Sequence, residues 1–174
     1  MTDFAVRAAE PGTQPADRAV LERLWHLFRH DMSVYSGALP RPDGTFRSER
    51  LYSAFNEPGW ASYLFTEREH PVGFGLVRAL DEPGPTVLNA FFLVNAVRRR
   101  GRGLSVALDV LHRHPGDWEV AFQDENQAAV AFWPRVAEAA AGPGAWRLEH
   151  RPIPGKPEVA PDAWISFTVP ADRL

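Results

Sequence analysis

The spacing of apolar positions changes period several times along the chain, and each change marks an element. Phe4 to Ala8 is a short first strand, ended by Glu10-Pro11-Gly12. Leu21, Leu24, Trp25 and Phe28 then recur at i, i+3, i+4 and i+7, the stripe of an amphipathic helix that Pro15 and Asp17 are suited to start. The stripe dissolves after His30-Asp31, where the helix is expected to end. Ser36 to Ser48 reads as a loop through Pro40, Pro42 and Asp43-Gly44. Arg50 to Phe55 is a short helix before Pro58-Gly59. Trp60 to Glu67 and Val72 to Leu80, joined through Glu69-His70-Pro71, predict a hairpin. Thr86 to Val94 is close to continuously apolar, as a central strand buried on both faces would be.

The helical period returns at Leu104, Ala107, Leu108 and Leu111 and is stopped by His114-Pro115-Gly116. Trp118 to Phe122 is a further strand. Asn126 can cap a helix carrying Ala129, Val130, Phe132 and Trp133, which Pro134 is expected to kink or end because it lacks a backbone donor. Trp146 to Arg151 and Trp164 to Val169 close the chain as strands around a Pro-rich loop. This order predicts an α/β fold with a central mixed sheet of about seven strands and about four helices packed on both faces. The sheet is antiparallel early, with a parallel crossover at Thr86–Phe122. Trp164–Val169 is read as an edge at which two copies can pair, so monomer and homodimer are both open.

Composition narrows the function classes. A chain of 174 residues suits one domain (1–174). No run approaches the ~18 apolar residues of a membrane span, and the first residues do not read as a secretory signal. A cytoplasmic protein without membrane attachment is the expectation. The absence of cysteine removes disulfides, a thiolate zinc site and a cysteine nucleophile, and no metal is expected. A net charge of −3 argues against a nucleic-acid partner. The basic residues are nevertheless lopsided, with 18 arginines and Lys156 alone. They cluster once, at Arg98-Arg99-Arg100-Gly101-Arg102.

That cluster stands between a buried strand and an amphipathic helix. A helix N-terminus offers unpaired N–H groups and the positive end of the dipole. Gly101 and Gly103 let the backbone approach a ligand, and Arg98, Arg99, Arg100 and Arg102 add charge, so a phosphate or pyrophosphate site is predicted. It is not a P-loop, since Leu104-Ser105 stands where Lys-Ser/Thr belongs, and it lacks the glycines of a Rossmann fingerprint. The plain alternative is a basic surface turn.

The run Arg98-Arg99-Arg100-Gly101-Arg102-Gly103 resembles the Arg/Gln-x-x-Gly-x-Gly/Ala signature of the GNAT superfamily of N-acetyltransferases, and Asn126 to Trp133 is similar to that family's second element. The resemblance implies a GNAT-like fold with acetyl-CoA as co-substrate. The coenzyme-binding core would span about 86–137 and the acceptor elements about 17–60. It implies that the backbone of Leu93 and Val94 holds the pantetheine arm and that the N–H groups from Arg100 to Ser105, with Leu104 among them, hold the pyrophosphate. Asn126 would touch the pantetheine or cap its helix. Phe132 and Trp133 would line the coenzyme tail or simply fill the core.

The sequence also departs from the family pattern. Leu88-Asn89-Ala90-Phe91 has no carboxylate where many members carry a Glu base, and Trp133 replaces a Tyr acid. A base is therefore sought elsewhere, at His30 with Asp31 beside it, or at Asp124. Helix-end and turn roles explain His30 and Asp31 as well. Glu67, Glu69 and His70 read as a hairpin tip. Tyr35, Tyr52 and Asn89 are candidates for contact with a small-molecule amine, between the Ser36–Ser48 and Pro152–Pro161 loops. A transferase working largely by proximity, an acyl-CoA-binding domain without chemistry, and a nucleic-acid contact through the arginines are the three readings, in that order.

Overall fold

The computed structural model describes residues 4–171. The elements are β1 (Phe4–Ala9), α1 (Pro15–Ser36), α2 (Glu49–Asn56), β2 (Ala61–Glu67), β3 (His70–Arg78), β4 (Thr86–Leu93), α3 (Arg102–His112), β5 (Gly116–Phe122), α4 (Gln127–Ala141), β6 (Trp146–Arg151) and β7 (Asp162–Val169). A 3-10 turn at Asn95–Val97 links β4 to the basic run. The seven strands form one mixed sheet in the order β1-β2-β3-β4-β5-β7-β6. Only β4 and β5 run parallel, and α3 is the crossover between them.

Apolar side chains alternate across the strands and are buried on both faces. Phe65, Leu88, Leu93, Trp118, Val120 and Ile165 pack with Val106, Val110 and Leu111 of α3 and Val136 of α4. Leu64, Phe74, Leu76 and Phe92 pack on the other face with Leu21, Leu24 and Trp25 of α1 and Leu51 and Phe55 of α2. Beyond α1 and α2, β5, β6 and β7 turn Glu119, Arg147, Glu149, Arg151 and Ser166 toward an open pocket of about 560 Å³. Arg151 donates to Glu119 there at 2.7 and 2.9 Å. No helix among the described residues is long and apolar enough to cross a membrane.

Three expectations are corrected. α1 does not end at His30-Asp31 but continues to Ser36, where Gly37 at φ 66° donates its N–H to Ser33 O. The apolar stripe stops because the last turns project past the core, not because the helix stops. α4 runs unbroken through Pro134, since Trp133 and Val136 on either side are buried and hold it to the sheet. Finally, β7 is not an edge. It pairs with β5 on one side and β6 on the other, so the edges are β1 and β6.

Two irregularities in β4 prepare the site. Its register with β3 passes from Leu76↔Ala90 to Val77↔Leu88, which leaves Asn89 unpaired in a bulge. Its pairing with β5 is confined to Thr86–Leu88 against Trp118–Val120. Beyond Leu88 the two parallel strands diverge and open a wedge in the middle of the sheet.

Candidate active site

The wall of the wedge is β4 from Asn89 to Leu93. Val94 donates its N–H to Val72 O at 2.8 Å. Alternation along the antiparallel ladder then directs the backbone groups of Phe91 and Leu93 away from β3, toward the gap. The Leu93 carbonyl is already engaged, accepting from Arg98 Nε at 2.6 Å. The N–H of Leu93 and both polar groups of Phe91 therefore face the wedge, while Val94, expected to share this role, has its N–H committed inside the sheet. The apolar floor is aromatic. Phe91 stacks on Phe132 at 5.8 Å between centroids and meets Trp133 edge-on at 5.5 Å.

At the open end lies the N-terminus of α3. Arg99 at φ 60° and Gly101 at φ 73° turn the chain sharply, and Gly101 caps α3 without any side-chain hydrogen bond. The N–H groups of Arg102, Gly103 and Leu104 thus face outward at the positive end of the helix dipole. Gly103 is also tightly placed. A Cβ there would stand 3.3 Å from Phe132 and 3.7 Å from Leu93. Beside the turn, an open pocket of about 430 Å³ separates α3 from β1, lined by Phe4, Val6, Arg100, Gly101, Arg102 and Ser105 among others.

The four arginines divide into two pairs. Arg98 forms an ion pair with Asp31 of α1 and lies 5.4 Å from the Phe92 ring. Arg102 pairs with Glu67 at the end of β2 and lies over Phe4. These two clasp the loop to its neighbours. Arg99 and Arg100 are exposed and have no ion-pair partner among the described residues.

The remaining expected residues are placed as follows. Asn126 caps α4, its Oδ1 accepting from Ala129 N–H at 3.1 Å. Trp133 is buried. His30 stands two residues past Phe28, about 200° round the helix from the face that meets the sheet, and is exposed. Asp31 is occupied by Arg98. Asp124 follows β5 at the end of the sheet where the wedge opens, exposed and 2.9 Å from His150 Nε2 of β6.

Tyr35 and Tyr52 do not meet. The Tyr52 ring lies 5.5 Å from Arg18, close to Phe55, while Tyr35 is exposed seventeen residues further along α1, about 25 Å away. Asn89 does lie at the head of the wedge, its Oδ1 3.5 Å from Arg50 Nη1. The Ser36–Ser48 loop is fastened to α1, because Trp25 Nε1 donates to Arg47 O at 2.8 Å and Phe46 N–H donates to His26 Nδ1 at 3.2 Å. The Pro152–Pro161 loop emerges at the end of the sheet where the wedge opens, and there Gln123 of the β5 terminus donates to Asp162 at 3.3 Å.

No family model matches the sequence, nor does any curated protein. The architecture is more telling. An acetyltransferase from Thermus thermophilus superposes with a TM-score of 0.65 over 97% of this chain and 100% of its own, at 17% identity. A PaiA N-acetyltransferase from Thermoplasma acidophilum, solved in complex with coenzyme A, gives 0.64 over 95% and 99%, at 10% identity. A GNAT family acetyltransferase from Elizabethkingia anophelis with acetyl-CoA bound gives 0.62 over 96% and 99%, also at 10% identity. The chain has the GNAT fold. Within that fold the bulged β4, the parting of β4 from β5 and the uncapped α3 form one continuous feature of this chain.

Sequence reasoning missed Phe91, because a buried-looking run hides which residues border a gap. It also missed Arg29 and Arg50. They are scattered in the sequence among polar neighbours, and only the antiparallel packing of α1 on α2 brings them together.

Proposed function

We propose that the chain is an acetyl-CoA-dependent N-acetyltransferase that moves an acetyl group to the amine of a small molecule by direct attack in a ternary complex. The observation that carries this reading is the wedge between β4 and β5 with the bare N-terminus of α3 at its mouth. An amide-bearing arm entering the wedge would pair with Phe91 and the N–H of Leu93 as an added strand. The first-turn N–H groups of α3 would hold a pyrophosphate, with Arg99 and Arg100 supplying charge. The pocket beside Arg100 and Ser105 gives room for the nucleotide end. The occurrence of coenzyme A and acetyl-CoA in structural neighbours agrees with this reading.

In the transfer, the neutral amine nitrogen attacks the thioester carbonyl and a C–N bond forms. The tetrahedral adduct then collapses with cleavage of the C–S bond, the electron pair leaving on sulfur, and the nitrogen proton passes to water. β4 contributes no carboxylate, so acceleration rests on holding the two reactants together. Calorimetric titration with acetyl-CoA, followed by thiol release in the presence of amines, tests the reading. Micromolar binding and amine-dependent thiol release are expected, while no binding up to millimolar ligand overturns it.

A second reading, an acyl-CoA-binding domain without transfer, is favoured by Trp133, whose indole cannot protonate a leaving thiolate. Binding without thiol release across a broad amine panel would select it.

A further inference from the structure

Arg29, Arg47 and Arg50 form a basic cluster on the face that carries α1 and α2, next to Asn89 in the β4 bulge. Arg29 projects from α1 toward α2. Its Nε is buried and has no hydrogen-bond partner among the described residues. Burial, and then the charges of Arg50 and Arg47, hold its pKa below the usual guanidinium value. Arg50, at the start of α2, reaches across to Asn89 in the bulge. Glu49 is the carboxylate acting on Arg29 among the described residues, and it is already paired with both Arg41 and Arg47. Arg29 and Arg50 have no ion-pair partner of their own among the described residues. The segment carrying Arg47 is fastened to α1 through Trp25 and His26.

An anion seated between Arg29, with its buried unpaired Nε donor, and Arg50, which reaches to Asn89, would satisfy that donor and offset the charge of the two cations. We infer that Arg29 and Arg50 hold an anionic group of the acceptor, so that the substrate is a small amine that also carries a carboxylate or phosphate. The guanidinium forks suit either group, and Asn89 sets the distance between anion and wedge. This inference rests on the transferase reading for the word acceptor, but the anion site is testable without transfer.

The test is a calorimetric titration of the full chain, with and without coenzyme A, using N-acetyl amino acids of varied side chain and N-acetyl aminoalkyl phosphates. Each is set beside a neutral match, the primary amide or the alcohol. One anionic member is expected to bind at least about tenfold more tightly than its neutral match. That margin should vanish in Arg50→Gln and in Arg29→Met while coenzyme A affinity is unchanged. Arg50 is exposed, so its variant reads the site even where loss of Arg29 disturbs packing. The phosphate and carboxylate arms show which anion is preferred. Equal binding of neutral matches, a margin that survives Arg50→Gln, or silence of the whole panel would each overturn the anion site. Failure of coenzyme binding alone would overturn the transferase reading instead.

Discussion

Gly103 and His30 show how differently two residues singled out in the sequence stand once folded. Gly103 lies in the first turn of α3 with Phe132 at van der Waals distance from the place a Cβ would take. Gly103→Val is therefore expected to push Phe132 into the wedge and lower acetyl-CoA affinity by about tenfold or more, because the turn no longer admits close approach of an anion. Far-ultraviolet circular dichroism should stay unchanged. His30 faces solvent, so His30→Ala is expected to leave turnover and the pH–rate profile as in the wild type. With an amine as its own limiting proton source, log kcat/KM should rise with pH toward the pKa of the acceptor, with no inflection near 6.5, the ordinary histidine value.

At the scale of elements, Asn126 is read as a cap. Asn126→Ala should lower stability by about 1 kcal/mol in thermal or urea unfolding, and leave acetyl-CoA affinity essentially unchanged. A large loss of affinity would return Asn126 to the binding site. The element sequence was legible in the chain because each period is local. Leu21 to Phe28 declares a helix, and Thr86 to Val94 a buried strand, whatever surrounds them. Boundaries set by tertiary packing were not legible. α1 outruns its apolar stripe, and α4 tolerates Pro134 because the sheet holds both sides of it. The place of β7 was hidden for the same reason, since a polar-alternating strand reads alike at an edge and between partners.

The site was legible where one short segment makes it, as at Gly101 and Gly103, and illegible where several segments meet. Arg98 and Arg102 look identical to Arg99 and Arg100 in sequence. Their ion pairs with Asp31 and Glu67 depend on contacts 67 and 35 residues away.

For the whole molecule, the end of the sheet opposite the wedge carries a group expected to respond to acid. There Tyr63 and His114 Nε2 are 2.5 Å apart, and Trp118 Nε1 donates to His114 O. Burial first, then Arg113, holds the His114 pKa below its ordinary value. Between that lowered value and 6.5 the unfolded chain binds the proton more readily, so stability is complete above about pH 6.5 and falls as the pH drops. The expected outcome is a melting temperature that declines from pH 7.5 to 5.5 more steeply in the wild type than in His114→Gln. Parallel slopes in the two proteins would remove His114 from the acid response.

Three residue pairs, Thr86–Trp118, Val87–Glu119 and Leu88–Val120, are the whole backbone seam between β1–β4 and β5–β7. A sheet interrupted in this way is a hinge with its pin at one end. Any molecule that bonds along Phe91 and Leu93 becomes a splint across the break. Amide hydrogen exchange along β5 and α4 should then slow on ligand binding, although neither element needs to touch the ligand along its length. The ligand would act as a missing strand in the mechanics of the sheet as well as in its chemistry.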